Sequence, residues 1–132
     1  MKIYGVGTDI VKVDRIKKSI RNKYFISRIF NENEIQKCKK LKKNYNCYAK
    51  RFAAKEAFSK ALGTGISNGI NFNEIIVLNE KKGRPFIKLI KNTKKKVEKK
   101  FKRKKYKISL SLSDENNYAV AFVTISSWVK RK

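Results

Sequence analysis

The sequence predicts an α+β fold, a largely antiparallel sheet packed against helices. Three observations predict it. Residues 48–62, YAKRFAAKEAFSKAL, form an alanine-rich helical pattern stopped by Gly63-Thr64-Gly65. The run Ile108-Ser109-Leu110-Ser111-Leu112-Ser113 alternates with period two, and residues 114–117 are a turn that sends the chain back through a second strand, 118–125. Elsewhere strands and helices lack the regular alternation that builds a parallel sheet.

The remaining elements follow in order. Residues 2–9 read as a strand anchored by Ile3 and Val6, and Gly5 and Gly7 inside it allow another backbone or a ligand to come close. Asp14 is placed to cap a short helix carrying Ile16 and Ile20. A second short helix holds Tyr24, Phe25 and Ile29. Asn31 and Glu34 have the spacing of a capping box, opening a helix that carries Ile35, Cys38 and Leu41. Residues 39–46 make a basic, polar break before the alanine-rich helix. In that helix Ala54, Ala57, Phe58, Ala61 and Leu62 form one apolar stripe. Phe52, Glu56 and Lys60 fall at i, i+4 and i+8, with the acid preceding the base in the favourable order. Residues 66–73 read as a loop, 74–78 as a buried strand, 80–83 as a turn and 86–90 as the returning strand. Residues 92–105 read as a very basic helix with few apolar contacts, chiefly Val97 and Phe101. No repeat or domain boundary interrupts the chain, so 1–132 reads as one domain whose last few residues are a basic tail.

Composition narrows the function. A hydrophobic share of 41%, with eight Phe and six Tyr, is enough for a core. The chain has no His, which excludes a Ser-His-Asp triad, a Cys-His dyad and any His-ligated metal. Cys38 and Cys47 stand nine positions apart with no C-x-x-C pattern, so two free thiols in a reducing cytoplasm are the expectation. No apolar run approaches the roughly 20 residues that span a membrane, and the N-terminus reads as the start of a folded domain. The net charge of +25 points to an anionic partner. The cations are mostly Lys, however, alongside abundant Asn and Ile, which is what an AT-rich genome writes. A dedicated nucleic-acid binder would use more Arg.

Among only ten acids, placement is informative. Asp9 ends a glycine-bearing strand, and Glu56 lies in mid-helix among Arg51, Lys55 and Lys60. An acid among lysines is most often a local charge balancer. The alternative is a Mg²⁺ site, since Mg²⁺ takes one or two carboxylates and draws its other ligands from water and substrate phosphate. Gly63-Thr64-Gly65 can be a plain helix stop or a turn that lets backbone N–H groups meet an anion.

Four segments together are more specific than any one. Gly5-Val6-Gly7-Thr8-Asp9-Ile10, the stretch RFAAKEAFSKALGTG from Arg51 to Gly65, Gly83-Arg84-Pro85, and Ser111-Leu112-Ser113 before Tyr118-Ala119-Val120-Ala121 resemble the holo-[acyl-carrier-protein] synthase family, the small bacterial 4'-phosphopantetheinyl transferases. The resemblance runs from residue 3 to about residue 125, with the segments in family order. It implies the 4'-phosphopantetheinyl transferase fold, a homotrimer with active sites at subunit interfaces, and a cytoplasmic enzyme of fatty acid biosynthesis. The implied reaction is Mg²⁺-dependent transfer of 4'-phosphopantetheine from coenzyme A to a serine of apo-acyl carrier protein, with release of 3',5'-ADP.

Carried over by position, the resemblance makes Asp9 and Glu56 the metal ligands, and Glu56 and Lys60 the catalytic pair. Arg51, Lys60, Gly63, Arg84, Pro85 and Ser113 would bind coenzyme A, with Lys42 and Lys43 standing for a basic loop that meets its 3'-phosphate. Arg15 and Arg21 would meet the acidic carrier protein. The general base would be a water on the metal, or Glu56 acting through water. One departure is Asp114, where many relatives carry a His that contacts coenzyme A. The rival reading, a basic RNA- or ribosome-associated binding protein, rests on charge alone and has no use for Asp9 and Glu56. A third is a degenerate relative that keeps the fold for assembly.

Overall fold

A computed structural model describes residues 1–63 and 69–130. Its organising element is the alanine-rich helix, α4, Asn44–Leu62. Alanine suits this position because a short side chain lets other backbones approach closely, and Ala49, Ala53, Ala54 and Ala57 are wholly buried.

Strand β1, Lys2–Lys12, lies directly on α4. Gly5 faces the Ala61 carbonyl and Gly7 the Ala57 carbonyl, so closely that a methyl group on either glycine would collide with the helix backbone. Two strand residues advance about 6.8 Å and four helix residues about 6 Å, so strand and helix stay in step. The next residue on the same strand face is Asp9. Its position against α4 therefore follows from the glycine spacing.

The chain then forms three short helices, α1 (Val13–Ser19), α2 (Lys23–Ile29) and α3 (Glu32–Lys39), before entering α4. A tight helical turn, Phe72–Glu74, leads into the hairpin β2 (Ile75–Asn79) and β3 (Pro85–Leu89). Helix α5 (Lys91–Phe101) precedes the long hairpin β4 (Lys104–Glu115) and β5 (Tyr118–Val129). The strands make two antiparallel sheets, one in the order β1-β5-β4 and one of β2 with β3. In the larger sheet Asp9 stands opposite Ala121, and Leu110 opposite Val123. Ala119, Ala121, Val123 and Ile125 turn inward and are fully buried. Rings of α4, of the turn before β2 and of Phe30, just past α2, fill the space on the other flank of α4, with Phe30 against Tyr48 at 4.8 Å and Phe52 against Phe72 at 6.2 Å.

Several expectations need correction. Asp14 does not cap α1: it sits inside the first turn, and Lys12 is the capping position without a side-chain bond. Helix α4 begins at Asn44, because burial of Cys47 and Tyr48 draws the polar approach into the helix. Helix α5 ends at Phe101, where Lys102 takes a positive φ, and the following lysines join β4 because Trp128 and Val129 extend β5 to meet them. Cys38 and Cys47 are not free thiols but a disulfide, with Cα atoms 5.6 Å apart. The end of α3 and the start of α4 bring them together, a proximity their spacing in sequence does not announce. The expected capping box does form: Asn31 Oδ1 accepts from Asn33 N–H at 3.0 Å, and the Glu34 carboxylate accepts from Asn31 N–H. Thr64, Gly65 and the first part of the expected 66–73 loop lie outside the described residues.

Candidate active site

The acids singled out in the sequence come from separate elements and meet. Asp9 projects from the inward face of β1, and Glu56 from the middle of α4. Burial, and next the neighbouring Asp9 carboxylate, push Glu56 above the ordinary glutamate range, against the pull of Lys60 and Arg15. Lys60, one turn beyond Glu56, donates to Asp9 Oδ1 at 3.3 Å and to the Thr8 carbonyl at 3.0 Å. Its side chain remains more than half exposed, so it can also meet a ligand. Two carboxylates whose charges disfavour each other, beside a half-free lysine, match the donor set that suits Mg²⁺ and a phosphate. Among the described residues no third acid, Cys or His joins them, and substrate and water would have to supply the other ligands.

Arg15, on α1, belongs to the same neighbourhood. Its guanidinium lies over the Phe52 ring at 5.8 Å and acts on the Glu56 charge. A residue expected to meet the carrier protein thus stands at the rim of the acid pair. Arg21, also exposed, is in the turn after α1.

A second group gathers at the start of α4. Arg51 is buried, and its NH1 donates to the Cys47 carbonyl and sulfur, both at 3.2 Å. Its NH2 donates to Asn79 Oδ1 at 3.4 Å, and Asn79 Nδ2 donates to the Gly83 carbonyl at 3.0 Å. Asn79 therefore ties Arg51 to the Gly83-Arg84-Pro85 turn between β2 and β3. Sequence reasoning missed Asn79, since a lone Asn ending a strand carries no chemical signal. Burial lowers the Arg51 guanidinium below its ordinary range, with Glu34 pulling the other way. Lys42 and Lys43 are exposed in the short link from α3 to α4, inside the span closed by the disulfide. Gly63 caps α4 in the left-handed region, φ 84°, one turn past Lys60, and its N–H donates to the Ser59 and Lys60 carbonyls.

Ser113 stands exposed near the end of β4, opposite Val120. The next residue, Asp114, is engaged by its own chain: Lys50 lies 3.6 Å away and Asn46 Nδ2 donates to it at 3.2 Å. A pocket of about 460 Å³ at this hairpin end is bounded by Ile10, Ser113, Asp114 and Tyr118.

Known proteins resemble the chain along nearly its whole length. The model of the 4'-phosphopantetheinyl transferase superfamily matches residues 5–123. A holo-[acyl-carrier-protein] synthase of Pelagibacter ubique is 48% identical over 125 residues, covering 95% of this chain and 98% of that protein. A holo-[acyl-carrier-protein] synthase of Wolbachia pipientis is 44% identical, covering 93% and 97%. Among solved structures, the synthase of Neisseria meningitidis superposes with a TM-score of 0.82 at 36% identity, covering 94% of this chain and 98% of that one. The synthase of Bacillus anthracis, solved with coenzyme A (3',5'-ADP), superposes with a TM-score of 0.77 at 35% identity, covering 95% and 97%. With the sequence motifs, the antiparallel architecture and near-complete coverage in agreement, the chain belongs to the holo-[acyl-carrier-protein] synthase family of the 4'-phosphopantetheinyl transferase superfamily.

Proposed function

We propose that this enzyme transfers the 4'-phosphopantetheine group of coenzyme A to a serine of an apo-acyl carrier protein, releasing 3',5'-ADP and supporting fatty acid biosynthesis in the cytoplasm. The observation that carries the reading is the convergence of Asp9, Glu56 and Lys60 from two elements. Asp9 and Glu56 would hold Mg²⁺, which when bound supplies positive charge to the diphosphate oxygens.

The chain's own residues do the rest. Lys60 is anchored by the Thr8 carbonyl and so presents a fixed positive charge where the leaving phosphate gains charge. Glu56 would take the serine proton through water. The serine oxygen forms a bond to the β-phosphorus, and the bond from that phosphorus to the bridging oxygen breaks, so 3',5'-ADP leaves with the electron pair. Such transfer depends mainly on positioning and charge neutralisation. Arg51, Gly63, Arg84, Pro85 and Ser113, with Lys42 and Lys43, would position coenzyme A. Arg15, and Arg21 beyond it, would receive the acidic carrier protein, their charge raising its on-rate in a salt-dependent way.

A homotrimer fits the outer face of the larger sheet. Val6, Ile10 and Phe122 lie on that face, 53%, 64% and 45% exposed, and Thr8 stands opposite Phe122 between the two others. A contiguous apolar patch of this kind is normally covered by a partner.

The test is incubation with apo-carrier protein, coenzyme A and Mg²⁺, followed by intact-mass measurement. The expected result is a phosphopantetheine mass gain, absent with chelator and in Glu56→Ala. Full activity in both controls would remove the metal-site reading.

A further inference from the structure

Arg51 is held by a sulfur. Its NH1 donates to Cys47 Sγ and to the Cys47 carbonyl, both at 3.2 Å. Its NH2 donates to Asn79 Oδ1, which also accepts from the Lys37 ammonium. All three acceptors are neutral while the Cys38–Cys47 bond is closed. Among the described residues no carboxylate lies within ion-pairing distance of Arg51. Its charge is positioned but not neutralised, and remains available to a phosphate. Opening the bond changes this. A Cys47 thiolate would lie against the guanidinium where a neutral sulfur now accepts. Cys47 and Arg51 are each only 5% exposed, so water screens that pairing little.

The surroundings suit thiol–disulfide exchange. From Lys37 to Lys50 the chain carries no acid, and Lys39, Lys40, Lys42 and Lys43 are exposed in and beside the link that the bond closes. Such a surface draws thiolates, the reacting form in exchange. Cys38 is wholly buried and Cys47 nearly so, and exchange therefore follows a local opening. Cys38 is the next-to-last residue of α3, and Cys47 lies in the first turn of α4. Helix ends open more readily than helix interiors. In the cytoplasm proposed above, cysteine pairs that close are mostly redox-sensing rather than permanent.

We propose that the Cys38–Cys47 pair is a redox site that sets the affinity for coenzyme A. Closed, it leaves the charge of Arg51 to the nucleotide; open, Cys47 takes that charge for itself. This rests on the transfer reading above, in which Arg51 helps to hold coenzyme A. The reductant is a dithiol. One of its sulfurs, as thiolate, attacks Cys38 Sγ and forms a mixed disulfide. Cys47 leaves as a thiolate beside Arg51, the better leaving group because the cation stabilises it. The second sulfur of the dithiol then attacks the mixed disulfide and frees Cys38. Two electrons pass to the cysteine pair, and the dithiol ends as a disulfide. Of its two protons one ends on Cys38, and the other goes to water while Cys47 stays ionised.

The test is calorimetric binding of coenzyme A to the full chain in its closed and open forms. Oxidised and reduced dithiothreitol prepare the two, alkylation followed by intact-mass measurement identifies them, and melting curves show that each is folded. The closed form should bind about tenfold more tightly, as one charged hydrogen bond predicts. Cys38→Ser leaves Cys47 unpaired and should bind as weakly as the open form. Cys47→Ser lacks the bond too, but has no sulfur anion beside Arg51, so it should bind more tightly than Cys38→Ser. That ordering separates the charge of Cys47 from the loss of a cross-link, which both variants share. Equal affinity in the closed and open forms, equal affinity in the two variants, or a bond that dithiothreitol cannot open in the folded protein overturns the proposal. Transfer with the same KM for coenzyme A in both forms removes the redox site and leaves the transferase. No transfer in either form, with binding still tighter in the closed one, removes the transferase and leaves the redox site.

Discussion

Lys55 meets Glu34 at 2.7 Å in the interior, with neither side chain exposed. Every donor of the ammonium is used: the other two go to the Phe72 carbonyl at 2.8 Å and to the Ile75 carbonyl. Glu34 in turn accepts from the backbone N–H groups of Asn31 and Val77. Burial pulls the ammonium down to about 8, and the Glu34 charge opposes that shift. One ion pair thus fastens α3, α4, β2 and the turn before it, one residue away from Glu56. Lys55→Met should cost about 3–5 kcal/mol, because it leaves a buried carboxylate without its partner. The double variant Lys55→Met, Glu34→Gln should recover part of that loss. Urea unfolding of the four members of the cycle measures both.

Gly7→Ala tests the seam that brings Asp9 to Glu56. The new methyl group would meet the Ala57 carbonyl, a backbone atom that cannot swing away. The expected loss of stability is roughly 1–3 kcal/mol, as for an overpacked core. Transfer activity should fall further than stability accounts for, since strand and helix must part where the acids converge. Melting curves and intact-mass assays on the same sample separate the two effects.

Lys60→Met should lower transfer about 100-fold or more by removing a fixed charge from the leaving phosphate. The protein should remain folded, because the Lys60 side chain is more than half exposed. Lys60→Arg should retain more activity than Lys60→Met. Steady-state rates at saturating coenzyme A are the measurement.

Glu74 supplies a pH-dependent prediction for stability. Burial raises its carboxyl, but bonds from the Thr93 hydroxyl and N–H and from Asn71 outweigh that and leave it below the ordinary range. It thereby secures the first turn of α5 to the turn before β2. A lowered folded-state value stabilises the fold above the unfolded value, and that contribution disappears as pH falls through the folded one. Glu74→Gln should therefore cost about 1–2 kcal/mol at pH 7, and the gap to the native protein should narrow below about pH 4. Denaturant midpoints across that range test the sign.

The Cys38–Cys47 bond closes the span that holds Lys42 and Lys43 and supports Arg51 through Cys47. Replacing both cysteines with serine should cost about 2–3 kcal/mol for a loop of this length. The KM for coenzyme A should rise, because the basic link and Arg51 both lose their anchor. Peptide mapping without reductant shows whether the bond is present in the purified protein.

The long periodic segments were legible without the tertiary structure because local chemistry decides them. An alanine-rich run makes α4, alternating serine and leucine make β4, and Asn31 with Glu34 makes the capping box. The motif acids and Lys60 were legible too, since Asp9, Glu56 and Lys60 sit in runs whose residue order is itself distinctive. What sequence order could not supply was contact between groups far apart along the chain. Lys55 stood out in the sequence only as one of the cations flanking Glu56, yet it is buried against Glu34, 21 residues away. Asn79 and Lys37 carried no pattern, and they meet because β2 and α3 pack on neighbouring flanks of α4. The cysteines read as separate thiols until the turn after α3 brought their Cα atoms within bonding range. Propensity and periodicity act over a few residues, so they set which elements form. Burial and charge pairing act across the packed core, so only the folded chain decides which side chains become neighbours.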